Sequence, residues 1–82
     1  MYLSELKKGE TAVIEAIEAD DLLAKLFEMG CVPGEKVKMV LIAPFGDPVA
    51  IQVAGYTLAM RIQEAAKVRI RKDNFSSQKI KL

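Results

Sequence analysis

Leu26-Phe27-Glu28-Met29-Gly30-Cys31-Val32-Pro33-Gly34 opens the stretch that decides the fold. Ala43-Pro44-Phe45-Gly46-Asp47-Pro48, then Ala54-Gly55-Tyr56-Thr57-Leu58-Ala59-Met60-Arg61, then Glu64-Ala65 follow in order. Leu22, Leu26 and Met29 recur at i, i+4 and i+7, with Leu23 and Phe27 widening the stripe, so a short amphipathic helix ends here. Asp20 or Asp21 is the expected cap at its start. Gly30 stands where a left-handed C-terminal residue is wanted. Pro33-Gly34 suits a type II turn, proline fixing φ and glycine accepting the positive φ that follows. The loop from Ala43 to Pro48 has a proline near each end and a glycine between, which makes it stiff.

Working outward, apolar residues alternate with polar or small ones in five short runs. Thr11 to Ala19 has Val13 and Ile17 on one face and Ala12, Ile14 and Ala16 on the other, which predicts a strand buried on both sides for part of its length. Val37, Met39 and Leu41 alternate with Lys36 and Lys38, a strand with one wet face at its start. Val49, Ile51 and Val53 form the next, and Gly55 breaks it. Tyr56, Leu58, Met60 and Ile62 form another. Gln63 to Lys67 fits one helical turn, and Val68 to Arg71 a closing strand. Ser4-Glu5-Leu6 before Lys7-Lys8-Gly9 reads as a helical turn. This spacing predicts a mainly β fold, a small closed or partly open barrel with one helix after its first strand. Closure would remove most exposed sheet edges. The expected core is Val13, Ile14, Leu26, Val37, Met39, Leu41, Ile51, Val53, Leu58 and Val68. Residues 1–72 read as one domain and residues 73–82 as a mobile tail, with Phe75, Ile80 and Leu82 as docking residues.

Composition excludes several function classes. Just over half of the 82 residues are apolar, enough for a core of ordinary richness in one small domain. Residues 1–60 carry five Lys/Arg against nine Asp/Glu, and residues 61–82 carry seven against two. The basic C-terminal part suits an acidic partner or an anionic surface, or is the wet face of a strand. The longest apolar run, Met39 to Phe45, is far short of the ~20 residues of a spanning helix and is interrupted by Pro44. With one cysteine and no visible leader, the expected location is the cytoplasm, peripheral to a membrane at most.

The chain has no histidine, so no Ser-His-Asp or Cys-His constellation can form within it. No P-loop motif is present. Cys31 reads as a small buried hydrophobe, and a lone thiol with carboxylates is a poor zinc site. Asp20, Asp21 and Glu28 read as capping and solvated groups rather than a hard-cation patch. No catalytic residues, no cofactor and no metal site are therefore expected, and in particular no tight Fe(II) or Zn(II) site. Nucleic acid is not expected as a partner, because few aromatics lie beside the basic residues to stack bases.

The loop carries more. Phe45 at its tip either projects as an anchor on a preorganised loop or folds back over the barrel mouth. The expected partner-binding residues are Pro44, Phe45, Gly46, Asp47 and Pro48, with Leu23 and Lys25 on the helix.

The ordered pieces Glu28-Met29-Gly30 with Pro33-Gly34, Ala43-Pro44 with Gly46-Asp47-Pro48, and Leu58-Ala59-Met60-Arg61 with Glu64-Ala65 resemble the ferrous iron transport protein A (FeoA) family. The resemblance runs from about Leu3 to Ile70. Cys31 stands where the family usually has an aliphatic residue, Met60 where leucine is common, and the tail after Lys72 lies outside the pattern. The resemblance implies an SH3-like barrel, a fold shared with the C-terminal domain of iron-dependent repressors. It also implies a non-enzymatic role in ferrous iron uptake, by contact with the Fe(II) permease or its GTP-binding domain. A repressor's regulatory domain is the alternative, disfavoured by the absence of a helix-turn-helix before the barrel. An adaptor for Pro-rich peptides is disfavoured by the few dispersed aromatics and the lack of tryptophan.

Overall fold

A computed structural model describes residues 1–73; Phe75, Ile80 and Leu82 lie outside the described residues. After a short 3₁₀ turn, Leu3–Glu5, the chain runs β1 (Thr11–Ile17), α1 (Asp20–Glu28), β2 (Lys36–Ile42), β3 (Val49–Val53), β4 (Tyr56–Met60), α2 (Ile62–Ala65) and β5 (Val68–Lys72). The turn chemistry sets this order. The Glu35 N–H donates to the Val32 carbonyl at 3.0 Å across Pro33-Gly34, and Gly34 has φ +93°, as a type II turn requires. Ala54 and Gly55 both have positive φ, the primed geometry that joins two twisted strands through two residues.

All pairings are antiparallel, in the order β4-β3-β2-β1-β5. Among the described residues β4 and β5 do not pair, so the barrel is partly open and keeps two edges. β1 joins its halves, pairing with β2 over Thr11 to Val13 and with β5 over Ala12 to Ile17.

The cap of α1 lies one residue before Asp20, the earlier of the two expected. Ala19 is its N-cap and supplies no side-chain bond. Asp20 and Asp21 instead fall in the first turn, where carboxylates favour the positive end of the helix dipole. Leu22 and Leu26 are buried, while Phe27 is 43% exposed, so the apolar stripe is narrower than its sequence suggests. Gly30, at φ +86°, ends the helix against the β3–β4 hairpin; a Cβ there would lie 3.0 Å from the Ala54 Cβ.

The core joins Leu3, Leu6, Ala12, Ile14, Leu26, Cys31, Val37, Met39, Val49, Ile51, Val53, Val68 and Ile70, among others. Three expected members differ. Val13 is only half-buried, because Ala12 and Ile14 take the inner face and Val13 pairs outward between Lys36 and Arg71. Leu58 is half-buried on the edge strand, packed against the core. Leu41 is 49% exposed. The register shifts between Met39 and Leu41, one residue's worth of slip that turns the following side chain to the opposite face.

Candidate functional site

That register shift builds the candidate site. Strict alternation would have placed Leu41 inside with Val37 and Met39. Instead Leu41 lies opposite Ala50, which lies opposite Ala59; Leu41 and Ala59 are exposed, and Ala50 between them is buried. Ile42, its neighbour, is 39% exposed, and three residues on Phe45 is 99% exposed. The aromatic therefore projects and does not fold back. Full burial of such a side chain is worth about 1.5–3 kcal/mol, a stabilisation this fold leaves unused.

The loop is held from within. The Gly46 N–H donates to the Ala43 carbonyl at 2.7 Å, and the Ala43 N–H to the Pro48 carbonyl at 3.1 Å. Asp47 Oδ1 accepts the Ile62 N–H, at the start of α2, at 2.9 Å. Pro44 and Pro48 are exposed and Gly46 is half-buried. Asp47 thus reads as the post that fixes the loop, and Phe45 as what the loop presents.

The helix candidates sit differently. Leu23 is half-buried, and Lys25 pairs with Glu64 at 3.3 Å. Glu64 also accepts the Arg61 N–H at 2.9 Å; that bond first, then Lys25, holds its carboxyl below the usual range. Both candidate pieces are therefore tied to α2, the loop through Ile62 and α1 through Glu64. Lys25 and Glu64 also line a cleft of about 680 Å³ between the helices, with Asp21 and Lys67. Its charges are of mixed sign, and none of the loop residues lines it. Sequence reading missed Leu41, which the register shift turns outward, and Ile42, which is exposed at the end of β2.

Two of the three basic residues on β5, Arg69 and Lys72, are paired with carboxylates. Arg69 Nε donates to Glu18 Oε2 at 2.9 Å, and Lys72 donates to Glu10 at 2.7 Å. These bonds hold the carboxyls of Glu18 and Glu10 below their ordinary values. Lys36 lies 3.2 Å from Asp73. Cys31 is buried, and burial pushes its thiol up, away from the reactive thiolate. Among the described residues no three His, Cys, Asp or Glu side chains gather in a metal-holding group, and no helix is long and apolar enough to cross a membrane.

The FeoA domain family matches residues 1–72. The chain belongs to the FeoA family. A curated relative, the Fe(2+) transport protein A/Fe(2+) transporter FeoB fusion protein of Porphyromonas gingivalis, is 38% identical over 71 residues, 85% of this chain and 8% of that protein. The chain thus spans only a small part of that relative, in which an FeoA-like segment shares one polypeptide with a transporter. The solution structure of FeoA from Chlorobium tepidum is 36% identical, with a TM-score of 0.82 over 88% of this chain and 70% of that one. The crystal structure of Stenotrophomonas maltophilia FeoA with zinc is 39% identical, with a TM-score of 0.75 over 85% and 88%. It is described as a procaryotic SH3 domain protein and a candidate ferrous iron transport activating factor. This FeoA-family chain accordingly has the SH3-like fold expected from its sequence.

Proposed function

We infer that this chain is a non-enzymatic, cytoplasmic accessory of ferrous iron uptake that docks on a FeoB-type Fe(II) transporter. The observation that carries the reading is the fused relative, in which a similar segment and a transporter are one chain. Fusion replaces a bimolecular encounter by a high effective concentration, which is useful when the two parts act together. The residues agree with a binding role: no histidine is present, and the one cysteine is buried. What the chain offers is a stiff loop with a projecting aromatic, following a strand end where Leu41 and Ile42 are also exposed, the form of an interface anchor that loses little entropy on binding. Leu23 and Lys25 on α1 form the second candidate face.

Uptake of labelled Fe(II) tests it. Deleting the chain beside an intact transporter should lower uptake. Wild-type chain should restore it, and Phe45→Ala should not. Unchanged uptake on deletion would overturn the transport reading; full rescue by Phe45→Ala would transfer the docking role to the α1 face.

A further inference from the structure

The partly open barrel leaves two edge strands, and only one is protected. β5 carries Arg69, Arg71 and Lys72 along its length. Its outer side is also occupied: the Ile70 N–H donates to the Met1 carbonyl at 2.8 Å, and Tyr2 bridges to Arg69. Charge and covering are two of the devices by which proteins prevent strand addition.

β4 has neither. Tyr56-Thr57-Leu58-Ala59-Met60 contains no charge and no proline. Among the described residues its ladder partner is β3 alone, and no other backbone hydrogen bond is made from it. The two-residue turn fixes which groups are idle. Val53 and Tyr56 flank the turn and exchange their bonds, so Ile51–Leu58 and Val49–Met60 do the same. Thr57 and Ala59 then aim their N–H and C=O groups away from the sheet.

We propose that β4 pairs antiparallel with β4 of a second copy of this chain, about a two-fold axis at Leu58. In this register Thr57 of each copy exchanges both backbone bonds with Ala59 of the other, and Leu58 meets Leu58. Tyr56 lies across from Met60. A two-fold axis sets each residue against the same short segment of its copy, so a charged strand repels itself and an uncharged one does not. β5 would oppose cations to cations; β4 opposes none. The charge pattern therefore favours self-pairing at β4. The exposed side chains of Thr57 and Ala59 continue the outer row of Gln52 and Ala50, so two sheets become continuous without disturbing either core.

Sedimentation of the full chain from micromolar to millimolar concentration tests this, with amide exchange as the residue-level readout. The expected result is a reversible dimer, with exchange at Thr57 and Ala59 slowing as concentration rises and exchange at Ile70 unchanged. Ala59→Lys puts a cation beside the axis and should raise the dimer dissociation constant by roughly tenfold or more. Thr57→Pro removes only an outward N–H, which an edge strand tolerates, and should do the same. An unchanged far-ultraviolet spectrum shows that a variant has folded. A chain that stays monomeric at every concentration overturns the proposal. So does a dimer indifferent to both substitutions, or slowed Thr57 and Ala59 exchange in a dilute monomer, which would show the edge already covered within one chain.

Discussion

Along the β1–β5 side, acidic residues of the N-terminal part meet basic residues of the C-terminal part. Glu18 faces Arg69 and Glu10 faces Lys72, with one pair of the opposite sense, Lys36 and Asp73, beside them; Met1 and Tyr2 cover the outer strand. Along the β2–β3–β4 side such pairs give way to apolar surface, with Leu41, Ile42, Phe45 and Tyr56 each more than a third exposed. One half of the sheet pairs several of its charges internally, and the other leaves apolar groups in water. Exposed ion pairs contribute little each, so the first side is specified rather than strongly bonded. The second gives up stability that burial would contribute, which is the expected signature of a surface completed by a partner.

The sharpest contrast within the second side is between Met39 and Leu41, two residues apart on β2. Met39 is wholly buried and Leu41 half exposed. Met39→Ala should cost about 2–5 kcal/mol, as should Leu26→Ala on the helix. Leu41→Ala should cost under about 1 kcal/mol, close to an ordinary surface substitution. Denaturant titration of these variants decides it, and equal costs at 39 and 41 would show that the register shift does not turn Leu41 outward.

That pair also shows where sequence reading stops. Alternation, the Gly30 stop and the Pro33-Gly34 turn were enough for five strands, one main helix and most of the core, because each rests on local backbone geometry. The phase of β2 beyond Met39 was not legible, since a register shift depends on the strand across from it and leaves no mark in an apolar run such as Val40-Leu41-Ile42. Whether the barrel is closed or partly open stays undecided in the sequence for a related reason: closure depends on how the first and last strands meet. The loop is legible through its prolines, which single out Phe45 at its tip, but the two placements of that side chain are separated only by the fold. The charge asymmetry was visible as a sum, while its pairing across β1 and β5 was not.

Gly30→Ala probes how firmly α1 is seated on the apolar side. The left-handed backbone costs a residue with a Cβ roughly 1–2 kcal/mol, and the Ala54 Cβ at 3.0 Å must also give way. A loss below half a kcal/mol in thermal unfolding would mean that the helix end shifts freely against the hairpin.

The charged side should respond to pH instead. Glu10 and Glu18 have folded-state values lowered by Lys72 and Arg69 respectively. Their contribution is therefore fully present above the usual carboxylate range and is lost as pH falls through the lowered values. The unfolding midpoint should decline over that window, and Glu18→Gln should flatten part of the decline. The effect should be the smallest here and weaken with salt. A midpoint that rises on acidification would contradict the pairing.

Whether the apolar side is a docking surface is measured most directly by calorimetric titration of the full chain against the purified cytoplasmic domain of the cognate transporter, comparing wild type with Phe45→Ala. Truncation of an anchor typically costs about 2 kcal/mol or more, so affinity should fall roughly thirtyfold while the unfolding midpoint stays unchanged. Equal affinity for wild type and Phe45→Ala would contradict the assignment of the docking surface to the loop.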